Sequence, residues 1–435
     1  MIVMADTILA EANRCLNCKK PRCSEGCPVH TPIPKAISML KAGEIKKAGK
    51  LLFANNPLSL VCSYVCPHEQ QCEGHCVLGI KGEPVHFSKI ERYISNLYLD
   101  ALVPPPRIID PCRRVAIIGS GPAGITIAVI LAKRGYNITI FENHDKIGGV
   151  LQYGIPGFRL PKDILERLHH KLISMGIKIR PNILVGTTIT IDDLFQDGYK
   201  AVFIGTGVWR PQSLHIKGQT LGNVHFAIDY LKNPSSFHLG KKICIIGAGN
   251  VAIDAARSAV RQNVWDVTIL YRGSPDDMTA LPSEVELAKI DGVHFEFHKV
   301  PYEITEHSVK YRSTQWDEEK GWVEVPDTEA EFFCDSVIVA IGQGPRHLIV
   351  NSTSGINVTS RGLVETQSDG STTRPGVFSS GDVVSGAKTV VQAVRQSKIV
   401  ANAIDEYVSA YVSGERARKG ETDPLEGVEQ PPDPE

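Results

Sequence analysis

The distribution of cysteines is the feature that most constrains how this chain folds. The sequence has 435 residues and 11 cysteines, and eight of the cysteines lie before residue 77. They form two groups of four, which are Cys15, Cys18, Cys23 and Cys27, then Cys62, Cys66, Cys72 and Cys76. In a cytoplasmic chain, clustered thiols are typical of metal ligands rather than of disulfides. The first hundred residues are therefore predicted to bind metal.

The spacing of these cysteines favours iron–sulfur clusters over zinc. It is similar to, but does not match, the spacing in bacterial ferredoxins, in which a cysteine before proline binds a second cluster. Cys27 and Cys66 each precede a proline. Structural zinc sites favour repeated C-x2-C pairs, and only Cys15 and Cys18 have that spacing. From the residues alone, all eight cysteines, Cys62 included, are candidate ligands of two [4Fe-4S] clusters.

Charge and hydropathy exclude several other classes of protein. The formal net charge is −1, from 47 basic and 48 acidic residues, so no nucleic-acid or membrane-surface partner is expected. No apolar run approaches the roughly 18 residues of a spanning helix, so membrane insertion is not expected. Met1–Arg14 lacks the pattern of a secretory signal, and the expected location is the cytoplasm.

A glycine-rich segment follows the first strand-like run after the cysteine region. Arg114-Val-Ala-Ile-Ile118 leads into Gly119-Ser-Gly121-Pro-Ala-Gly124, which opens a helical pattern. This order is typical of dinucleotide-binding βαβ units, in which glycines let the backbone approach a pyrophosphate at a helix N-terminus. Glu142 ends the next strand, where a carboxylate can accept a hydrogen bond from a ribose hydroxyl. The segment predicts a dinucleotide site rather than an unused glycine turn.

A second unit of the same kind lies further along the chain. The strand Lys242-Ile-Cys-Ile-Ile246 leads into Gly247-Ala-Gly249-Asn250, and Tyr271-Arg272 occupies the place that Glu142 has in the first unit. A 2′-phosphate is repelled by a carboxylate and attracted by arginine, so Arg272 favours NADPH over NADH. Because only one arginine follows this strand, a solvated surface role for Arg272 stays open.

The order of these units resembles that of the two-dinucleotide-binding-domain flavoproteins, in which a nicotinamide domain is inserted into a discontinuous FAD domain. Strand patterns return at Ser336–Ile341 and at Gly376–Phe378, and the latter runs into Gly381-Asp382. The resemblance implies an α/β fold with two Rossmann-like domains and with FAD on the first glycine loop. It also implies that Gly381 and Asp382 contact FAD, although Asp382 suits a helix N-cap as well.

These patterns divide the chain into five segments. Residues 1–105 are predicted to be an α-helical iron–sulfur domain, with helical patterns over Lys35–Asn55 and Phe87–Leu99. Residues 106–240 and 346–413 are predicted to form the FAD domain, and residues 241–345 the NAD(P)H domain. Residues 414–435 hold prolines and charges without apolar periodicity, and disorder is predicted there.

The whole order resembles one family, the small subunits of NADPH-dependent glutamate synthase. It is also similar to the flavin-containing half of dihydropyrimidine dehydrogenases and to FAD subunits of NADPH:ferredoxin transhydrogenases. The resemblance rests on Cys27-Pro28, Asn56-Pro57, Val65-Cys66-Pro67, Gly74-His-Cys76, Gly148-Gly149, Ile155–Pro161 and Lys388-Thr-Val390. It implies FAD, two [4Fe-4S] clusters and NADPH as cofactors, with NADH as the alternative nucleotide, and it places Gly149 beside the flavin.

The resemblance also implies that the two sets of cluster ligands cross. Cys15, Cys18, Cys23 and Cys76 would hold one cluster, and Cys27, Cys66 and Cys72 would hold three corners of the other. The family has glutamine or glutamate at the fourth corner, and Glu91 aligns with that position, which leaves Cys62 as a non-ligand. A surface-helix carboxylate is the alternative interpretation of Glu91.

The cofactor set implies a route for electrons. A nicotinamide gives two electrons as a hydride and a cluster accepts one, so a flavin is the required converter between them. Cys112, Cys244 and Cys334 are far apart in sequence, so no redox disulfide beside the flavin is predicted. Electrons are expected to leave through the clusters. No catalytic acid or base is assigned, because hydride transfer to flavin needs none.

The chain is therefore predicted to be the NADPH-oxidising electron-transfer subunit of a hetero-oligomeric oxidoreductase. The alternatives are an NADP(H)-binding subunit of an electron-bifurcating NADH/ferredoxin transhydrogenase and the electron-input subunit of a dihydropyrimidine dehydrogenase. Ferredoxin is one candidate partner. A scaffold with degenerate cofactor sites is disfavoured, because the glycines and cysteines are intact.

Overall fold

The computed structural model of this chain describes residues 2–104 and 108–419. Part of the predicted linker, residues 105–107, and most of the predicted tail, residues 420–435, lie outside the described residues. Residues 414–419 continue the last helix to Lys419, so the disorder predicted from residue 414 is wrong for this part of the tail.

The elements are numbered in chain order. The α-helices are α1 Ile2–Asn13, α2 Arg22–Glu25, α3 Ile33–Lys41, α4 Ile45–Asn55, α5 Ser59–Val65, α6 Phe87–Ala101, α7 Pro122–Lys133, α8 Val150–Tyr153, α9 Asp163–Ser174, α10 Ile191–Gln196, α11 Ala227–Lys232, α12 Asn250–Arg261, α13 Pro282–Ile290, α14 Leu348–Asn351, α15 Asp382–Ser385 and α16 Val390–Lys419. The strands are β1 Asp110–Ile118, β2 Tyr136–Phe141, β3 Lys178–Arg180, β4 Ala201–Ile204, β5 Arg210–Pro211, β6 Val224–Phe226, β7 Lys242–Ile246, β8 Asp266–Leu270, β9 His294–Glu296, β10 Lys299–Ile304, β11 Ser308–Asp317, β12 Gly321–Glu324, β13 Ala330–Phe333, β14 Ser336–Val339, β15 Gln343–Gly344 and β16 Val377–Ser379. Short 3₁₀ helices cover His68–Gln70, Val77–Ile80, Pro234–Ser236 and Pro275–Asp277.

The N-terminal segment is helical, as predicted, but its first long helix is divided. The helix expected over Lys35–Asn55 is two helices, α3 and α4, because Gly43 between them has φ of +78°. That left-handed conformation is costly for residues with a Cβ and turns the chain after α3. The apolar faces of α3, α4 and α6 meet in one core that includes Ile37, Leu52 and Ile90. Cysteine side chains border the same core, so the helices fix where the thiols lie.

The first compact unit comprises Met1–Leu151, Gly157–Val208 and Pro345–Glu435. It combines the helical cysteine region with a parallel five-stranded sheet of order β16-β4-β1-β2-β3. The sequences of its central strands are short apolar runs, which is typical of strands buried on both faces. The helix α7 returns the chain from β1 to β2 and packs along α16. The first glycine loop lies at the carboxyl end of this sheet, where α/β folds bind nucleotides.

The second compact unit comprises Gln152–Pro156 and Trp209–Gly344. Its parallel sheet has the order β6-β14-β7-β8-β9, and an antiparallel sheet of β10–β13 follows β9 in sequence. The predicted start of this segment is residue 241, whereas the long segment of the unit begins at Trp209. The reason is pairing and packing: β6 pairs with β14, and Tyr230 of α11 shares a core with Ile243. Neither feature has a glycine motif that marks it in the sequence.

Among the described residues, no helix combines the length and the apolar character needed to cross a membrane.

Candidate functional site

The first glycine loop joins β1 to α7. Gly119 has φ of +97°, and a Cβ there would lie 2.6 Å from the carbonyl oxygen of Gly205. A Cβ on Gly124 would lie 2.0 Å from the Gly119 carbonyl oxygen. Gly121 differs from both, because its φ is −70° and a Cβ there would meet no atom within 4 Å. Open space therefore lies at Gly121, at the N-terminus of α7, where backbone amides can bind a pyrophosphate.

Glu142 lies at the end of β2 and is 3% exposed. Its Oε2 accepts hydrogen bonds from the Ser120 amide at 3.0 Å and the Ser120 hydroxyl at 2.5 Å. Its Oε1 accepts from the His144 amide at 2.9 Å. Burial acts to raise the pKa of Glu142, but the hydrogen bonds from His144 and Ser120 outweigh it and hold the pKa below its ordinary value. The expected ribose acceptor is thus an ionised group that is already held by its own glycine loop.

The Gly148-Gly149 pair lies against the same loop. The Gly148 amide donates to the Ser120 carbonyl oxygen at 3.0 Å and lies 3.2 Å from the Ser120 hydroxyl oxygen. A Cβ on Gly149 would lie 3.0 Å from the Cα of Gly121. The structure therefore brings Gly149 to the first loop, and Ser120 links it to Glu142. Sequence reasoning missed Ser120, because it stands at a variable position of the glycine motif.

Gly381 and Asp382 lie on the same side of the first unit. Gly381 has φ of +78°, and a Cβ there would lie 3.1 Å from the Cβ of Ala123 in α7. The N-cap of α15 is Gly381, so the capping interpretation of Asp382 is wrong. Burial raises the pKa of Asp382 to about 6, although the amide and the charge of Lys388 partly offset this. A desolvated carboxyl beside the glycine loop suits the hydroxyl groups of a dinucleotide.

These observations test whether the first unit fits FAD. The open space at Gly121 admits a phosphate. At Gly119 and Gly124, by contrast, a Cβ would clash with a backbone carbonyl oxygen. The buried Glu142 and the half-buried Asp382 supply two acceptors near the same helix end. The residues present therefore fit an FAD, with the first glycine loop, Gly149 and Asp382 as its holders.

The second glycine loop joins β7 to α12 in the second unit. Gly247 has φ of +120°, and a Cβ there would lie 2.4 Å from the Ala340 carbonyl oxygen. A Cβ on Gly249 would lie 3.3 Å from the Thr279 hydroxyl oxygen. The Asn250 side chain accepts a hydrogen bond from the Leu281 amide at 2.9 Å, which ties the loop to the segment before α13. This loop therefore joins a parallel strand to a helix through a left-handed glycine, as the first loop does, but it has less open space at Gly249 than the first has at Gly121.

Arg272 follows β8, which pairs in parallel with β7. The carboxyl ends of the two strands lie side by side, so Arg272 and Gly247 are at the same edge of the sheet. The Thr314 hydroxyl donates to the Arg272 carbonyl oxygen at 2.5 Å, and the Arg272 side chain is exposed. An exposed guanidinium at this edge suits a 2′-phosphate.

Cysteines from both sequence groups line one cavity in the helical region. Its lining includes Cys15, Cys18, Cys23, Cys72 and Cys76. Burial, with smaller contributions from the nearby Cys76 and Cys15, raises the pKa of Cys23 to about 11. Cys76 is thus brought to the first group, 49 or more residues away from it in sequence. The cavity therefore gathers all four cysteines of the first predicted set together with Cys72 of the second.

The second set gathers around Glu91, which is 5% exposed on the inner face of α6. Burial raises the pKa of Glu91. Burial also raises the pKa of Cys72, and the charges of Glu91 and Cys27 act in the same direction. The charges of Glu91 and Cys72 likewise act to raise the pKa of Cys66. The interpretation of Glu91 as a surface carboxylate is therefore wrong.

Cys62 lies beside this set and is buried. It forms a hydrogen bond with Cys66, one turn later, which lowers the pKa of Cys62 and raises that of Cys66. The Asn56 side-chain amide also donates to the Cys62 sulfur at 3.2 Å. The Cys62 sulfur is thus in contact with both Cys66 and Asn56.

The donor set fits iron–sulfur clusters. Acidic groups that raise one another's pKa are stabilised when a cationic metal centre replaces their protons. Within residues 2–104 and 108–419, no three His, Cys, Asp or Glu side chains converge as they would around a single metal ion. A [4Fe-4S] cluster binds each ligand at a different corner, which spreads the ligands more widely.

The three remaining cysteines are free. Cys244 and Cys334, which are isolated in sequence, pack in one core cluster of the second unit. Burial raises the pKa of both thiols. Buried thiols of this kind are unreactive packing residues.

Two protein families match the chain. Residues 2–101 match the family described as dihydropyrimidine dehydrogenase domain II, 4Fe-4S cluster. Residues 113–397 match the pyridine nucleotide-disulphide oxidoreductase family. The matches confirm the predicted order, in which an iron–sulfur domain precedes a flavin oxidoreductase with two dinucleotide folds.

Curated relatives agree with this assignment. The glutamate synthase [NADPH] small chain of Escherichia coli is 32% identical over 426 residues, which cover 91% of this chain and 90% of the relative. The NADP(+)-dependent formate dehydrogenase subunit beta of Moorella thermoacetica is 33% identical, over 89% of this chain and 60% of the relative.

Solved structures show the same dinucleotide-binding fold. FprA of Mycobacterium tuberculosis, in complex with NADPH, has a TM-score of 0.59 at 17% identity, over 70% of this chain and 86% of that chain. T. acidophilum thioredoxin reductase has a TM-score of 0.54 at 22% identity, over 69% and 99%.

The family matches and the relatives confirm the predicted cofactor classes, which are FAD, [4Fe-4S] clusters and NADPH. They also confirm that the protein is a flavin-dependent oxidoreductase. The chain belongs to the pyridine nucleotide-disulphide oxidoreductases, in the family of the glutamate synthase [NADPH] small chain, which carries a 4Fe-4S domain before the flavoprotein fold.

Proposed function

We propose that the chain is the electron-input subunit of a hetero-oligomeric oxidoreductase, and that it oxidises NADPH on behalf of a partner subunit. The observation that carries this proposal is that the two cysteine groups meet in space, with Cys76 beside Cys23 and Cys27 beside Cys72. The same compact unit contains the FAD-type glycine loop. An isolated flavin reductase has no use for two such groups of candidate cluster ligands.

Each cofactor has its own group of residues in this proposal. The first glycine loop, Glu142, Gly149, Gly381 and Asp382 would hold FAD. The second loop, Asn250 and Arg272 would hold NADPH. The flavin and the clusters, when bound, supply the conversion from two-electron to one-electron transfer. The residues of the chain position these groups, and we assign no acid or base.

The exposed surface around the cavity of the first cysteine group suits contact with a partner subunit. Leu16 and Val77 line the cysteine cavity and are 61% and 37% exposed. Ile80 is 64% exposed and lies three residues after Val77 in a 3₁₀ helix, which places both on one side. The exposed Lys19 and Lys20 lie in the same cysteine loop as Leu16. The partner surface would therefore have an apolar centre and an acidic rim.

Anaerobic affinity purification of the full chain from its native cell tests this proposal. We expect about one FAD and about eight irons per chain, together with a co-purifying subunit identified by mass spectrometry. A barrel subunit with a glutaminase domain would assign glutamate synthase. Flavin and cluster subunits of the NADH-dehydrogenase type would assign a transhydrogenase. A colourless, iron-free chain would overturn the proposal.

A second candidate reverses the direction of electron flow. The relative from Moorella thermoacetica is named as a subunit of an NADP(+)-dependent formate dehydrogenase, which suggests NADP⁺ reduction with electrons from a partner. Both directions use the same residues. Anaerobic reduction of the isolated chain by NADPH, followed at flavin wavelengths and compared with its reoxidation by NADP⁺, distinguishes them.

A further inference from the structure

Three consecutive residues of α16 join the FAD-binding loop to the cysteine region. The Gln396 side chain accepts a hydrogen bond from the Gly381 amide at 3.2 Å, and the Ser397 hydroxyl lies 3.0 Å from that of Ser380. The next residue, Lys398, points to the helical cysteine region instead. Its ammonium donates to Asn55, at 3.0 Å to the carbonyl oxygen and 2.9 Å to Oδ1.

The contact continues from Asn55 to a cysteine. The Asn55 side-chain amide donates to the Thr31 hydroxyl oxygen at 3.4 Å, and that hydroxyl lies 3.3 Å from the sulfur of Cys27. Thr31 is 4% exposed, and Cys27 is 9% exposed. A continuous line of hydrogen bonds therefore runs from Lys398 through Asn55 and Thr31 to Cys27.

The direction of every bond in this line is set by chemistry. An ammonium can only donate, so Asn55 must turn its oxygen to Lys398 and its NH₂ group to Thr31. The Thr31 oxygen accepts from Asn55, which leaves its hydroxyl hydrogen for the sulfur. A thiolate can only accept, so Thr31 donates to Cys27 once that sulfur is ionised. All donors thus point toward Cys27, and such a chain strengthens its own last bond.

We propose that Lys398 is a positioning residue that sets the reduction potential of the cluster held by Cys27. This inference rests on the proposed role of Cys27 as a cluster ligand. The Lys398 charge and the Thr31 hydrogen bond both stabilise extra negative charge on the cluster, because reduction adds an electron. Both therefore raise the potential. Burial lowers the pKa of Lys398, and the charge of Cys27 opposes this, which is consistent with a half-buried cation that acts on the sulfur.

Redox titration followed by electron paramagnetic resonance tests the proposal on the full chain. Lys398→Met keeps the stem and removes the charge, and Thr31→Val removes the hydroxyl at nearly the same volume. We expect both to shift the midpoint potential of one cluster to more negative values, with the other cluster and the flavin unshifted. Lys398→Arg should retain most of the wild-type potential, because arginine keeps the positive charge.

Lys133→Met is the matched control. Lys133 lies at the end of α7, and its ammonium lies 4.9 Å from the centroid of the Phe53 ring, so it is a second cation against the helical region that is not in this line. We expect this variant to leave both cluster potentials unchanged. Equal shifts in Lys133→Met and Lys398→Met would overturn the proposal, as would an unshifted potential in Lys398→Met.

Measuring the iron and FAD content before the titration keeps this test separate from the test of the proposed function. A wild-type chain without iron contradicts the proposed function itself. A wild-type chain with both clusters and a Lys398→Met variant at the wild-type potential contradicts only the role of Lys398.

Discussion

Ser120 donates two hydrogen bonds to one carboxylate oxygen of Glu142, from its amide at 3.0 Å and from its hydroxyl at 2.5 Å. Ser120 is fully buried, and its carbonyl also accepts from Gly148. One small residue therefore fixes both the expected ribose acceptor and the approach of the Gly148-Gly149 segment.

Ser120→Ala should weaken FAD binding. Loss of a hydrogen bond to a charged group costs about 1.5–3 kcal/mol, so we expect FAD affinity to fall at least tenfold. Fluorescence titration of the FAD-stripped chain measures it. Ser95→Ala is the control, because Ser95 is a buried serine that bonds to Ser59 and not to the loop. Equal FAD affinity in the wild type and in Ser120→Ala would contradict this role.

Gly121→Ala and Gly119→Ala should fail in different ways. Gly121 has an ordinary φ and open space, so alanine should leave the fold stable while its methyl group blocks the pyrophosphate. Gly119 has φ of +97° and a carbonyl 2.6 Å from the added Cβ, so alanine should destabilise the unit itself. We expect a folded, FAD-free Gly121→Ala protein by circular dichroism and absorbance. Normal FAD content in this variant would argue against a pyrophosphate at Gly121.

Glu91→Ala should disturb one cluster only. Glu91 is buried beside Cys66 and Cys72, and its removal takes away an anionic oxygen from that set. We expect altered electron paramagnetic resonance of one cluster, or the loss of about four irons per chain. Cys62→Ala should retain both clusters. The exposed Glu69 provides the control variant Glu69→Ala. The reverse pattern, with clusters lost in Cys62→Ala and kept in Glu91→Ala, would make Cys62 the ligand.

Asp382 should make the FAD-free chain less stable as pH rises. Burial raises its pKa to about 6, above that of the unfolded chain, so the folded state binds more protons between about pH 4 and pH 6. Stability is lost across that window, and the loss stays constant above it. Asp382→Asn should therefore be more stable than the wild type at pH 7, by up to about 3 kcal/mol, and equally stable near pH 4.

Thermal unfolding of the FAD-stripped proteins at pH 4, 6 and 7 measures this difference. Asp369→Asn is a control of opposite sign, because hydrogen bonds from Ser371 lower the pKa of Asp369. A stability difference between the wild type and Asp382→Asn that does not change with pH would show that the Asp382 pKa is not raised.

Arg272→Ala should reduce the preference for NADPH. The exposed guanidinium lies at the edge of the sheet where β7 and β8 end, and a charged hydrogen bond to a 2′-phosphate is worth about 1.5–3 kcal/mol. We expect kcat/KM for flavin reduction by NADPH to fall about tenfold, with that for NADH unchanged. Lys320→Ala, at an exposed turn before β12, is the control. An unaltered NADPH preference would leave Arg272 as a surface residue.

The sequence by itself determined the cofactor classes and their order along the chain. A glycine motif constrains only a few neighbouring residues, so Gly119, Gly121 and Gly124 identify a dinucleotide loop without reference to distant parts of the chain. The same holds for the βαβ pattern around Gly247. The density of cysteines before residue 77 likewise separated the iron–sulfur region from the rest.

The tertiary structure decided which distant groups meet. Cys76 reaches Cys15 and Cys23 because the helices between them fold back on one core, and no local pattern encodes that distance. The long segment of the second unit begins at residue 209 and not at residue 241, because β6 pairs with β14. Side-chain partners such as Ser120 with Glu142, or Lys398 with Asn55, arise only when separate elements pack. Local motifs specify chemistry through neighbouring residues, whereas contacts between distant residues depend on how the whole chain packs.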